Sequence, residues 1–420
     1  MQRHADKSSF GYAPRAVSVS VDISEGLSVS SVVPVLVLGG SVTALGAIRS
    51  LGPLGVPLFA ACDPRDVAAR SRWVRLLGDD LPEFTSVERF GEYLGALPFE
   101  RIVLLPCSDA WAEVVSSLPP EVAARFPSYL SPLLVLRRLT DKEQFAGLVR
   151  EHDIPHPQTL FVHDSADLDR HALAPDAQYF LKARNSQQFV AKTGVKAYMV
   201  SSPDEARRRV KELAAAGLGV VLQEYVPGPP SNHFFVDGFM ADGGRIHARF
   251  ARQRLRMHPR HFGNSTYLRS VSLAEVSDIV ATVDRLIQVS GLRGIFSVEL
   301  KRDARTGIAK VLEVNARPWW YVHYATACGV NVCEMTYRAA LGQPLPRFDG
   351  GYRVGRTCVY VRPDYRAWRD QHGNGISLVS CVASWFGAEH MIFRASDPMP
   401  FVHRCIEQAT QWFARPAGRA

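Results

Sequence analysis

The segment from Gly294 to Pro318, GIFSVELKRDARTGIAKVLEVNARP, holds the residues best suited to chemistry. Ile295 to Lys301 alternates apolar and polar residues, as a half-buried strand does, and Ile308 to Asn315 alternates again. Asp303 to Gly307 supplies turn residues between them. A hairpin centred near Thr306 sets Glu299 opposite Glu313, with Asn315 two residues on and on the same face. Phe296, Val298 and Leu300, with Leu312 and Val314, form the expected inner face. Carboxylates about 5 Å apart across a ladder repel and do not both ionise readily. A divalent cation removes the conflict, and Mg2+ takes one or two carboxylates together with substrate phosphates. The competing reading is a hairpin with charged, solvated outer positions.

The basic residues point the same way. The chain of 420 residues has a net charge of +8, and its cations are 41 Arg against 8 Lys. Such a diffuse Arg excess more often reflects coding preference and is only weak evidence for a nucleic-acid partner, which is not expected. Lys142, Lys182, Lys192 and Lys196 fall in one stretch of a chain that ordinarily uses Arg, and a compact ammonium suits a phosphate oxygen. Arg252, Arg254 and Arg256 alternate with Gln253, Leu255 and Met257, so a strand presents them as one basic stripe. That stripe suits a carboxylate or acyl phosphate through bidentate pairing, or else a solvated or RNA-facing strand.

The elements that must position these groups form an α/β and α+β pattern. Residues 1–32 read as a flexible polar tail without the apolar core of a secretory signal. Val32 to Leu38, Val56 to Ala61 and Ile102 to Leu105 read as buried parallel strands alternating with helices, the first helix being Val42 to Leu51. The Gly39-Gly40-Ser41 and Ser108-Asp109 turns then lie at the carboxyl edge of the sheet, where ligands sit. Helices are expected at Asp141 to Glu151, Pro203 to Ala215 and Val330 to Leu341, and short strands at Gln178 to Ala183, Ala197 to Val200 and Val220 to Tyr225. This divides the chain into 33–137, 138–346 (138–226 and 227–346) and a less regular C-terminal extension, 347–420. No run of 18 apolar residues occurs, so no membrane is implied and the cytoplasm is the default compartment. The seven cysteines form no CxxC pair, which argues against a disulfide framework.

VELKRD…VLEVNARPW is similar to the metal-binding hairpin of the ATP-grasp superfamily, of the carboxylate–amine ligase type, and the resemblance covers about 35–346. It implies a Rossmann-like pre-ATP-grasp domain followed by a two-subdomain ATP-grasp fold. It further implies that Glu299, Glu313 and Asn315 hold Mg2+, with Mn2+ as an alternative, and that Arg317 meets the transferring phosphate or the carboxylate. Thr140-Asp141-Lys142 and Tyr179-Phe180-Leu181-Lys182 resemble the two nucleotide-binding lysine motifs. Lys192 to Val200 is similar to the phosphate-covering loop and its following strand, which includes Lys196. Gln223-Glu224-Tyr225-Val226-Pro227-Gly228 resembles the hinge that seats adenine, with Glu224 and the backbone of Tyr225 and Val226 at the base or ribose. ARQRLRMHPRHFG resembles a family segment in which Arg254 replaces a common Lys and Arg256 matches the Arg. The Gly39-Gly40 turn and Ser108-Asp109 would help close the acceptor pocket, and a homodimer is the family-level expectation.

The implied activity is ATP-dependent joining of a small-molecule carboxylate to an amine through an acyl phosphate, with release of ADP and phosphate. A phosphotransferase that stops at a phosphate ester, and a non-catalytic nucleotide- or RNA-binding protein, are the alternatives. HExxH, G-x-S-x-G and Walker A motifs are absent from the sequence.

Overall fold

The computed structural model describes residues 32–77, 86–162, 168, 178–183, 197–218, 220–259, 263–370 and 375–413. Val35–Leu38 (β1), Leu58–Ala61 (β2), Val74–Leu76 (β3) and Val103–Pro106 (β4) form a parallel sheet in the order β3-β2-β1-β4. β1, β2 and β4 are buried along their whole length, hence their unbroken apolar sequences. β3 is short and partly exposed, so it carries no apolar run that a sequence reading could find. Helices Ser41–Leu51 (α1), Val87–Ala96 (α2), Asp109–Ser116 (α3) and Pro120–Arg125 (α4) accompany this sheet.

Leu133–Thr140 (α5) crosses the expected boundary at residue 138 and leads into Lys142–Glu151 (α6). A smaller antiparallel sheet follows. Thr159–Val162 (β5), Tyr179–Ala183 (β6), Ala197–Val200 (β7) and Val220–Glu224 (β8) lie in the order β5-β8-β6-β7. Pro203–Ala215 (α7) packs Ala206, Val210 and Leu213 against Leu160, Leu181 and Leu222, so this lobe has its own core. Ser202 caps α7 by accepting from the Glu205 amide.

The largest sheet contains His233–Met240 (β9), Ile246–His258 (β10), Asn264–Val271 (β11), Gly294–Arg302 (β12), Ala309–Asn315 (β13), Thr357–Val359 (β14) and Glu389–His390 (β15). Their order is β13-β12-β9-β10-β11-β14-β15. One face packs Val236, Met240, Phe296 and Val298 against Ser277–Ser290 (α8). The other joins Phe235, Phe239 and Phe250 to α1, Val322–Cys328 (α9) and Val332–Ala340 (α10) in a core shared with the parallel sheet. The single helix expected over Val330 to Leu341 is thus preceded by another, with Gly329 at φ +112° between them. Gly238 is required mid-strand, because a Cβ there would lie 2.3 Å from the Ala248 carbonyl oxygen and 2.5 Å from the Phe296 ring.

The described residues beyond 347 are tied into the large sheet. β14 pairs with β11 and β15 with β14, and Val361–Asp370 (α11), Leu378–Ala383 (α12) and Met399–Phe413 (α13) follow the chain around them. The Arg49 Nε of α1 donates to Asp397 at 2.9 Å, with both side chains almost fully buried. Arg49 also donates to the carbonyls of Ile392 and Asp397. Asp397 accepts from the Ser71 hydroxyl and the Arg72 amide as well. No helix among the described residues is long and apolar enough to cross a membrane.

Removing one partner of a buried ion pair strands the other charge, at about 3–5 kcal/mol. Asp397→Ala should therefore lower the urea-unfolding free energy by roughly that amount. A loss within the error of the wild-type measurement would mean that the C-terminal segment does not bear on the rest of the fold.

Candidate active site

The hairpin register is the expected one: Glu299 lies opposite Glu313 and Ser297 opposite Asn315. A bulge follows at once, since Leu300 pairs with Val311. Val311 therefore takes the buried position expected of Leu312, and Leu312 faces the cleft instead. Three adjoining cavities are each lined by Glu313; the first two run between β8 of the smaller sheet and the β12–β13 edge of the larger one, and the third lies over the larger sheet. The first holds Lys142, Thr140, Gln223, Asn315 and Asp109. The second, about 280 Å³, holds Phe180, Gln223, Tyr225, Val226, Arg254, Glu299 and Lys301. The third holds Arg252, Arg254, Asn315, Arg317 and Trp319-Trp320-Tyr321.

Glu299 is held by its neighbours. Arg254 Nη2 donates to Oε1 at 3.0 Å, and His233 Nδ1 lies 2.9 Å from the same oxygen. Burial alone would raise the Glu299 carboxyl, but Arg254 and then His233 pull it down to about 2. Arg254 also donates from Nε to Ser265 at 2.8 Å, and its Nη1 lies 2.9 Å from His233 Nδ1. That nitrogen can either donate to Glu299 or accept from Arg254, according to tautomer. Burial drives His233 down to about 4, so it is neutral near pH 7. Glu313 is exposed to the cleft. Its carboxyl is raised first by the desolvation that the surrounding protein imposes and then by the Glu299 charge. The two acids thus differ: one is ionised and clamped, and the other is destabilised as an anion. Two carboxylates and an amide oxygen fit an oxygen-seeking ion that takes further ligands from phosphates. Among the described residues, no group of three or more His, Cys, Asp or Glu side chains gathers to hold a metal, so a third protein ligand here would have to be the Asn315 amide.

Lys142 opens α6 where Asp141 caps the helix, accepting from the Glu143 and Gln144 amides at 3.0 and 2.8 Å. Burial lowers its ammonium pKa, and Glu313 and Asp141 oppose the shift. Lys182 stands on β6 opposite Val221. Lys192 and Lys196, with the loop around them, lie outside the described residues. Gln223 donates to Thr159 at 3.1 Å from the hinge strand.

Three expectations change in detail. Glu224 lines the second cavity, and its carboxylate is held there by Lys310 at 2.8 Å and Arg305 at 2.6 Å and accepts from the Gln158 amide. The Tyr225 amide is committed to the Gln178 carbonyl at 2.8 Å, so a backbone contact from Tyr225 to a base would fall to its carbonyl. The third concerns the arginine stripe, which breaks at a bulge between Arg254 and Arg256. Arg256 is buried against Asp364 at 2.6 Å, with Ser384 beside it, and lines none of the three cavities. Arg252 is likewise clamped, to Asp237 at 2.6 Å, with its guanidinium 3.8 Å from the centre of the Phe235 ring. Of the WW pair, Trp319 is buried as packing requires, while Trp320 is partly exposed at the cleft.

Two cleft residues escaped the sequence reading. His233 starts β9 with no motif around it. Lys301 was read as an ordinary strand residue; the available signal was its place two residues beyond Glu299, on the same face. Its Nζ sits 4.7 Å from the centre of the Tyr225 ring, and burial followed by the Arg254 charge lowers it to about 8. In the unfolded chain the same amine titrates near 10.4. Between these values the unfolded state binds more protons, so this group makes stability rise with pH from about 8 to 10. Lys301→Met should raise stability at pH 7 by about 1–3 kcal/mol and flatten that rise, as followed by urea unfolding at pH 7 and 9.5. An unchanged pH slope would contradict the shift.

The comparisons agree with this geometry. The family described as ATP-grasp in the biosynthetic pathway with Ter operon matches residues 219–357, the stretch from the hinge through the metal-type hairpin to β14. A D-aspartate ligase of Enterococcus faecium (strain Aus0004) is 22% identical over 319 residues, spanning 72% of this chain and 75% of that one. The L-amino acid ligase of Bacillus licheniformis superposes with a TM-score of 0.56 at 17% identity, over 78% of this chain and 79% of that one. The carboxyaminoimidazole ribonucleotide synthase of Aspergillus clavatus, complexed with ATP, gives a TM-score of 0.58 at 14% identity, over 82% and 87%. These superpositions show that the chain shares the fold of those structures, and its residues 219–357 are similar to the ATP-grasp family model.

Proposed function

We propose that the chain is an ADP-forming ligase that joins a carboxylate to an amine through an acyl phosphate. The observation that carries this reading is the Glu299–Glu313 pair, with Asn315, in a cleft whose other wall is the β8 hinge. Those three side chains would hold Mg2+, or Mn2+ in its place, and such an ion would offset the charge on transferring phosphate. Gln223, Phe180, Tyr225 and Val226 would take the adenosine end; the adenine contact falls to side chains, the Tyr225 carbonyl and the Val226 backbone, since the Tyr225 amide is engaged. Glu224 would shape the hinge through Lys310 and Arg305. Lys142, Lys182 and Lys301 would meet phosphate oxygens, and Lys192 and Lys196 are proposed to cover them. Arg254 and Arg317 would orient the carboxylate for in-line attack on the γ-phosphate, where positioning and electrostatics carry the rate. Arg256 has a structural part in this scheme, tying β10 to α11.

An amino acid is the proposed carboxylate class, supported by the names of the D-aspartate and L-amino acid ligases. A homodimer and a cytoplasmic setting belong to the same proposal. The test is ADP and phosphate release from Mg-ATP with D-aspartate and the common L-amino acids, supplied singly and in pairs. ADP and phosphate should appear together and only with a pair. Glu313→Gln should cut the rate by about 100-fold or more without unfolding the protein. ADP without phosphate would replace this reading by the kinase one, and ATP binding without turnover by the binder.

A further inference from the structure

The Arg317–Asp109 ion pair joins two parts of the molecule across the cleft. Arg317 follows β13, two residues beyond Asn315, and Asp109 opens α3 at the carboxyl edge of the parallel sheet. Nε and Nη2 each donate to one carboxylate oxygen at 2.8 Å. Asp109 lines the cavity with Lys142, and Arg317 lines the one with Arg254 and Trp320; Glu313 and Asn315 line both. The pair therefore stands between two cavities that share a floor.

Its exposure sets it apart from the other guanidinium clamps. The carboxylates holding Arg252 and Arg256 are fully buried, whereas the Asp109 side chain is 42% exposed and that of Arg317 17%. A buried pair is costly to break, but one this open can exchange partners at little cost. The sheet edge around it suits a cation. The first amide of α1, which could bind phosphate, is taken by the Asp66 carboxylate at 2.8 Å. Asp109 is the acid on this edge that faces the cleft.

We propose that Asp109 recognises the ammonium group of the amine substrate and, in taking it, releases Arg317 to the phosphate being transferred. This rests on the ligase reading above. The exchange replaces one ion pair by another and breaks no covalent bond. Until the amine arrives, Arg317 stays on Asp109 and phosphoryl transfer lacks one of its cations. The site thereby withholds full activity until the acceptor is present, which protects a water-sensitive acyl phosphate.

The test is ADP release from Mg-ATP with no amine or amino acid present, first with ATP alone and again with succinate, a dicarboxylate without an amino group. Asp109→Asn should raise this amine-free release about tenfold over wild type. Asp109→Glu should restore the wild-type rate, and Asp109→Asn with Arg317→Ala should lose the gain. For an active pair from the amino-acid panel, Asp109→Asn should raise the amine KM about tenfold and leave the ATP KM unchanged. Equal amine-free rates in wild type and Asp109→Asn, or a gain that survives in the double variant, would overturn the proposal. The ligase reading fails on a different observation: wild-type protein giving no pair-dependent ADP. The amine-free comparison needs only ATP and water, so it decides the role of Asp109 in that case too.

Discussion

Two like charges facing each other across one rung of a β-ladder are the constraint around which this molecule is arranged. Glu299 and Glu313 repel in the bare hairpin, and the protein resolves only half of that repulsion itself. Arg254 and His233 secure Glu299, while Glu313 is left raised and facing the cleft. On the proposed reading, the unresolved half would give the cleft its affinity for a cation, and a cation there would draw phosphates. Arg254 can serve this purpose because Ser265 fixes its guanidinium from the next strand. The order of strands β12, β9, β10 and β11 is therefore part of the electrostatics as well as the topology.

The paired carboxylates were legible because the hairpin writes its own register. Alternation on both strands and a turn between them leave one pairing that buries Phe296 and Val298. The parallel strands were legible because both of their faces are buried. What could not be read depended on partners distant in sequence. Arg256 looked like the third member of a stripe because nothing local marks Asp364, 108 residues on, as its partner. The bulge beside Glu299 exchanges Val311 for Leu312, two residues of equal apolar character. β14 and β15 are three and two residues long, too short for any periodicity to emerge. His233 and Lys301 belong to the cleft through burial, and burial is a property of the fold.

The Arg-rich composition also acquires a physical explanation. Arg49, Arg252, Arg254, Arg256 and Arg317 each face a carboxylate, and those pairs link strands, helices and domains to one another. A planar fork that binds two oxygens at once is well suited to this, and a lysine would not substitute. The net positive charge comes on top of these internal pairs and says little about partners.

Arg49 and Asp397 lie 348 residues apart. During synthesis from the N-terminus, the first parallel sheet can be complete while the carboxylate that neutralises its buried guanidinium has yet to be made. The nascent domain must keep Arg49 hydrated, with the surface of α1 open, until nearly the whole chain has emerged. Closure of the C-terminal segment over α1 is then a late event in biogenesis, and it separates a finished molecule from an interrupted one.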